Sequence, residues 1–245
     1  MSYSEAEQME RRIRRLFARA CAEYRLLEDG DKVLVALSGG KDSLELVRLF
    51  GAQQRIYKPR IEVEAVHVVM DNIPYETDRS YIQQFCEDVG VRLTILHSSF
   101  DESTDRRKTK CFLCSWNRRK AIFTYARDNG FTKVALGHHQ DDIITTLLMN
   151  MTFEGSIQTM PPALKMDNYP LTMIRPLCLV PERLISDLAG MLGFQKQKAL
   201  CPYEEKTRRA DMTGIMRQLE EMNPEARYSL WRAMSNIKTE MLPEK

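Results

Sequence analysis

Apolar residues fall along this chain in two rhythms. Over residues 4–24, Met9, Ile13, Leu16, Phe17 and Ala20 recur on one side at helical spacing while arginines crowd the other, which predicts an amphipathic helix. Ser4 and Glu7 make a capping-box pattern at its start, and Glu28-Asp29-Gly30-Asp31 ends the segment. Residues 32–37 are instead a continuous apolar run, Val33-Leu34-Val35-Ala36-Leu37, as expected of a strand covered on both faces. The rhythms then alternate. Helical spacing over 44–50, 81–89, 116–129, 142–151 and 181–192 is interleaved with strand patterns over 61–70, 91–97, 133–136 and 171–177. Pro181 suits a first helical position. From about residue 211 the chain reads as helical, interrupted near Asn223-Pro224.

Strands alternating with helices predict an α/β fold: a doubly wound, mostly parallel, Rossmann-like sheet with added N-terminal and C-terminal helices. Three segments follow: a helical 1–30, a core over 31–195 and a basic, helical 196–245. The clearest loop is the polar stretch 98–110, which leads into a cysteine pair.

Composition narrows the class. A chain of 245 residues, 43% hydrophobic and 29% charged, suits one sizeable globular core with appended helices. The polar start Met1-Ser2-Tyr3-Ser4-Glu5-Ala6-Glu7 has no signal-peptide character. No apolar run approaches the roughly 18 residues that span a bilayer. A cytoplasmic protein without a membrane partner is therefore expected. In that reducing setting the six cysteines do not make a disulfide framework, and the close pair Cys111/Cys114 reads as a metal or redox site.

Ser38-Gly39-Gly40-Lys41-Asp42-Ser43 lies between the first buried strand and a helix, at the strand end where doubly wound sheets bind ligands. Glycines let backbone approach a phosphate, amides at a helix start suit an anion, and Lys41, Ser38 and Ser43 add donors. Walker A spacing is absent. A second turn, Gly137-His138-His139-Gln140-Asp141-Asp142, follows a later strand and opens a helix; its two aspartates could be simple helix caps.

Cys-x-x-Cys at the start of a helix, with cations nearby, favours thiolates. Cys111 and Cys114 could share a metal or cluster or act as a redox pair, and neither completes a tetrahedral site. Cys201, in the polar setting Gln195-Lys196-Gln197-Lys198-Ala199-Leu200-Cys201-Pro202, is the candidate third ligand or else a surface thiol. Cys21, Cys86 and Cys178 sit beside apolar neighbours and read as core. Arg106, Arg107, Lys108 and Lys110 precede the pair, and Arg118, Arg119 and Lys120 follow it. Lys196, Lys198, Lys206, Arg208 and Arg209 bracket Cys201. The net charge is only +2, but clustered cations are what a phosphate backbone needs.

The six loop residues match the PP-loop signature of ATP pyrophosphatases, and the second turn resembles that superfamily's Gly-His-His-x-Asp-Asp element. With Cys111-Phe112-Leu113-Cys114, Arg118-Arg119, Ala135-Leu136-Gly137-His138-His139, Met160-Pro161-Pro162 and Ile174-Arg175-Pro176-Leu177, the chain resembles the tRNA 2-thiocytidine synthetase (TtcA) family from about Met9 to about Ile237. The resemblance implies an ATP-dependent sulfurtransferase that forms AMP and pyrophosphate. It implies ATP held by Ser38, Gly39, Gly40, Lys41, Asp42, Ser43, Gly137, His138, Asp141 and Asp142, with Mg²⁺ organised near Asp42. It implies a 4Fe-4S cluster on Cys111, Cys114 and Cys201 with one iron open to sulfide. Lys41, Asp42 and the three cysteines carry the chemistry in that scheme. Many family members carry a second Cys-x-x-Cys at the later position. Here Pro202-Tyr203-Glu204-Glu205 follows Cys201, so Glu204 stands where that cysteine would be.

The implied partners are a tRNA, through its anticodon loop, and a sulfur donor such as a cysteine desulfurase or free sulfide; a homodimer is a candidate assembly. Two other readings fit the residues: a persulfide relay on Cys111 and Cys114, acting on RNA or on a small acceptor, and a zinc-stabilised nucleotide- or RNA-binding module without catalysis.

Overall fold

A computed structural model describes residues 4–73, 78–101, 109–195 and 208–243, with backbone alone at 208–210. The first helix, α1 (Glu5–Glu23), starts where its capping box predicts. Ser4 Oγ accepts from Glu7 N, the Glu7 carboxylate accepts from Ser4 N, and Ile13, Phe17 and Ala20 are buried. It is followed by β1 (Lys32–Ala36), α2 (Lys41–Gln53), β2 (Glu62–Met70), α3 (Arg79–Val89), β3 (Arg92–Ser98), α4 (Lys110–Asp128), β4 (Lys133–Ala135) and α5 (Gln140–Met149). After a π-helical turn (Asn150–Glu154) come β5 (Ala163–Lys165), β6 (Thr172–Ile174), α6 (Glu182–Met191), α7 (Arg208–Met222) and α8 (Ala226–Ala233).

The six strands form one sheet in the order β3-β2-β1-β4-β6-β5. All pairs are parallel except β5 with β6, which is antiparallel. The mostly parallel, doubly wound sheet expected from the alternation is therefore present. The pattern missed β5, because its three residues are all exposed and give no apolar period. It also began the fourth helix at residue 116, whereas α4 starts six residues earlier, at Lys110. Pro181 is the N-cap of α6 rather than its first helical residue.

The strand β1 shows why its run is apolar throughout. Successive side chains point to opposite faces. Leu34 joins Val66 and Val134 against Phe123 and Ala126 of α4, so Val33 and Val35, also fully buried, face the other layer. There α2 packs against α3 and α6, and α1 against α6. Phe17 meets Phe50 edge to face at 5.5 Å. Each such fully buried side chain stabilises the fold by about 1.5–3 kcal/mol over its exposed state.

The chain divides into two compact units. The first is Met1–Gln140 with Pro161–Glu204, and holds the whole sheet; the second is Asp141–Met160 with Glu205–Lys245. The second has its own apolar centre, where Ile144, Met216 and Ala226 meet Leu148, Leu219, Leu230 and Trp231. Among the described residues no helix is long and apolar enough to cross a membrane.

Candidate active site

The loop after β1 is built by its own side chains. Leu37 N still donates to Val66 O at 2.9 Å, holding the chain on the sheet to the last residue before the turn. Gly39 then takes φ +89°, a conformation that side-chained residues rarely adopt. Gly40 returns to extended backbone as the N-cap of α2, with no side-chain cap. Ser43 braces the turn: its hydroxyl donates to Gly40 O at 2.8 Å and accepts from Ser38 N at 3.2 Å. The single hydroxyl hydrogen of Ser43 is thereby engaged inside the loop, so this residue shapes the cradle. The helix start faces the turn with its amides and its dipole, which suits an anion.

Lys41 Nζ lies 3.0 Å from Asp42 Oδ2 and 2.9 Å from Glu182 Oε1 at the start of α6. Partial burial alone would lower its pKa, but the two carboxylates hold it above the ordinary lysine value. The ammonium is charged and waits between partners that a polyphosphate can replace. Asp42 Oδ1 is buried without a hydrogen-bond partner, with His139 Nε2 4.0 Å away. An orphaned carboxylate oxygen beside a phosphate cradle fits a hard divalent cation such as Mg²⁺.

The turn after β4 lies directly on this loop. A Cβ at Gly137 would stand 3.2 Å from Ser43 N and 3.3 Å from the Asp42 carbonyl carbon, so only glycine fits unstrained. Of the paired histidines, His138 is half-buried and His139 is buried; His139 is the one beside Asp42. Asp141 and Asp142 occupy the first turn of α5 and open the second unit, where Asp141 pairs with Arg227, itself held by Glu220.

The cysteine pair sits at the start of α4. Thr109 caps the helix, its hydroxyl accepting from Phe112 N at 3.2 Å, and no acidic residue stands in the first turn. Cys111 is exposed and Cys114 half-buried. Cys114 packs beside Val68, Met70 and Ile73, so the pair overhangs the carboxyl end of β2, the strand next to the one that ends in the nucleotide loop. Cys201 and Glu204 lie outside the described residues, as do Arg106, Arg107, Lys108, Lys196, Lys198 and Lys206 and the side chains of Arg208 and Arg209. Among the described residues no three potential ligands cluster, and the pair fits a cluster that takes its third ligand from elsewhere. Cys86 and Cys178 are buried and Cys21 half-buried; burial pushes all three thiols up to about 12, which suits core residues.

Between the loop and α4 lies a cavity of about 90 Å³ lined by Leu37, Ser38, His67, Val68, Arg118 and Ile122. His67 Nδ1 lies 2.8 Å from Leu37 O, so that nitrogen carries the proton and donates. Burial, with Arg118 and Arg79 adding to it, holds the imidazole pKa below its ordinary value. The buried Nε2 has no hydrogen-bond partner and is an acceptor for a donor entering the cavity. His67 and Glu182 were not singled out by the sequence, and His139 was read only as part of the Gly-His-His-x-Asp-Asp turn, with His138 as the candidate ligand. His67 sits inside an apolar strand pattern, which was the one available signal for it.

Three comparisons bear on these features. A PP-loop domain model matches residues 5–196. The tRNA-cytidine(32) 2-sulfurtransferase of Bdellovibrio bacteriovorus is 36% identical over 235 residues, covering 94% of this chain and 90% of that protein. The protein of the same name from Pseudomonas putida is 34% identical over 242 residues, covering 97% and 88%. Among solved structures, the U34-tRNA thiolase NcsA from Methanococcus maripaludis with its [4Fe-4S] cluster superposes with a TM-score of 0.77 at 26% identity, covering 100% of this chain and 84% of that one.

Proposed function

We propose, because the chain belongs to the PP-loop family and to the tRNA-cytidine(32) 2-sulfurtransferases within it, that it is an ATP-dependent tRNA thiolase. Its substrate is the cytidine at position 32 of the anticodon loop, in which the 2-carbonyl oxygen is exchanged for sulfur. One observation carries the reading. The anion cradle of residues 38–43 and the Cys111/Cys114 helix stand over the ends of adjacent strands, β1 and β2. A base can then meet both an activating nucleotide and a sulfur source within one unit.

The chain's own residues define the first half-reaction. The amides at the start of α2 receive the β- and γ-phosphates, and Lys41 leaves Glu182 to follow the charge that develops on them. Asp42 would hold Mg²⁺ through its orphaned oxygen, where the ion would offset phosphate charge. The base's carbonyl oxygen attacks the α-phosphorus, the α–β bond breaks and pyrophosphate leaves on the cradle. The base is now an adenylate, so its C2 is electrophilic. A sulfide sulfur adds to C2, and the C2–O bond breaks with AMP carrying away the original oxygen. Cys111, Cys114 and a third ligand, Cys201 or Glu204, would hold the 4Fe-4S cluster, whose open iron supplies a site for sulfide. A cysteine desulfurase or free sulfide is the proposed donor, the cytoplasm the proposed setting and a homodimer the proposed assembly.

Anaerobic reconstitution with iron, ATP, Mg²⁺, sulfide and unmodified tRNA tests the reading. Mass spectrometry of the digested RNA should find 2-thiocytidine, with one AMP and one pyrophosphate formed per sulfur inserted. Pyrophosphate release without thiolation, or thiolation of tRNA by iron-free protein from a persulfide on Cys111 or Cys114, would overturn the scheme in its respective half.

A further inference from the structure

We propose that the solvent face of the first three turns of α4 is a stacking platform for an unpaired nucleotide of the RNA substrate, centred on Trp116 with Phe112 one turn before it. The inference rests on the tRNA reading above and adds to it a set of residues that grip the base.

Residues four apart on a helix lie one above the other. Phe112, Trp116 and Lys120 therefore form one stripe. Phe112 is 41% and Trp116 47% exposed, although both stand on a helix whose opposite side is fully engaged. Cys114 and Ala121 face the sheet, and Phe123 and Ala126 are buried against it. The Trp116 ring, 47% exposed, adds little to that packing. The ammonium of Lys120 sits 5.2 Å from the Trp116 ring centroid, a cation–π distance. Arg119 lies along the same face, its guanidinium bonded to Ser115 O and Oγ at 3.2 and 3.3 Å.

Charge selects the occupant. From Lys110 to Lys120 these turns hold four cations (Lys110, Arg118, Arg119, Lys120) and no carboxylate; the helix's one acid, Asp128, pairs with Arg127 at its far end. Aromatic faces alternating with cations match bases alternating with phosphates. A second copy of this chain would set the same cations opposite themselves and repel. Cys111 precedes Phe112 directly, so a nucleotide stacked on the stripe lies beside the thiols that serve the sulfur.

Fluorescence anisotropy of a labelled anticodon stem-loop RNA, titrated with anaerobic holoenzyme, tests the platform. Stacking losses on alanine substitution correspond to about fivefold to a hundredfold in affinity per base. Trp116→Ala and Trp116→Leu should both weaken binding by about tenfold, while Trp116→Phe stays within about threefold of the parent. Iron content and ATP affinity should be unchanged in all three. The salt slope should be unaltered by Trp116→Ala and shallower by about one unit in Arg119→Ala. Parent-like affinity in Trp116→Ala, or retention by leucine as good as by phenylalanine, overturns the platform. So does an alanine variant that binds RNA normally but no longer accepts sulfur from a donor protein, which would assign the face to that protein. A parent enzyme that thiolates tRNA while Trp116→Ala is indistinguishable from it sinks the platform alone; a parent that neither binds nor thiolates RNA sinks the functional reading with it.

Discussion

Lys41 is the residue on which the nucleotide site turns. Its ammonium already has two carboxylate partners, so the protein without nucleotide leaves no bare charge, and binding exchanges one set of anions for another. Lys41→Ala should reduce pyrophosphate release by about 10²-fold or more, since donors aimed at developing charge contribute on that scale. Thermal unfolding should remain cooperative, because the side chain is only part-buried. Gly137→Ala should act by a different route. Its methyl group meets Ser43 and Asp42 backbone at 3.2–3.3 Å, so the two turns must separate. A rise in the KM for ATP and a loss of about 1–3 kcal/mol in stability are expected, measured by steady-state kinetics and denaturant melts. His67 brings a pH dependence. Its folded pKa is depressed, so the unfolded chain binds a proton more readily. Its contribution to stability is complete above the unfolded value near 6.5 and is lost as pH falls below it. Stability should drop more steeply between about pH 7 and 5 in the parent than in His67→Asn; parallel curves would refute the assignment. The residues of the cradle were legible because glycine, lysine and serine at a strand-to-helix turn have few other uses. Glu182 was not, since its partner Lys41 lies 141 positions away and no local pattern marks such a pair.

Among the elements, α2 shows what fixes the cradle from behind. Glu45 is 1% exposed and binds Arg48 Nε at 2.8 Å. Arg48 also reaches Glu10 of α1 at 2.8 Å. Burial raises the Glu45 pKa even with that arginine beside it. Arg48→Ala leaves this carboxylate buried and uncompensated, and should cost about 3–5 kcal/mol in urea unfolding. Replacing Glu45 and Arg48 together by methionine should recover most of it; if the double variant is as weak as the single, the loss comes from packing. The helices and long strands were readable because each buries a continuous face, which imposes a period. What stayed hidden was β5, whose exposed residues follow no period, and the first turns of α4, where Lys110, Cys111 and Ser115 break the apolar spacing for the sake of the site. Function had overwritten the folding signal there.

At the scale of the whole molecule, the proposed cluster ligands are contributed by distant parts of the chain. Anaerobic reconstitution should load about four irons per chain. Cys111→Ala, Cys114→Ala and Cys201→Ala should each lose most of that iron and the visible absorption, whereas Cys86→Ala should retain both. Iron retained by the Cys201 variant would move the third ligand to Glu204 or to a partner chain. The doubly wound sheet was legible as a class from alternation alone, but its strand order was not, because order is set by which faces meet in three dimensions. That order has a consequence for biosynthesis. One side of β4 pairs with β1 and the other with β6, which is encoded after the chain has left the first unit and returned to it. A nascent chain ending at Gln140 holds only the row β3-β2-β1-β4, with the apolar edge of Val134 and Ala135 uncovered. Of the two counter-ions of Lys41, Glu182 is still untranslated at that point. Emergence from the ribosome therefore passes through a stage with an open sheet edge and an incomplete nucleotide site, both closed only when the chain returns with β6 and α6.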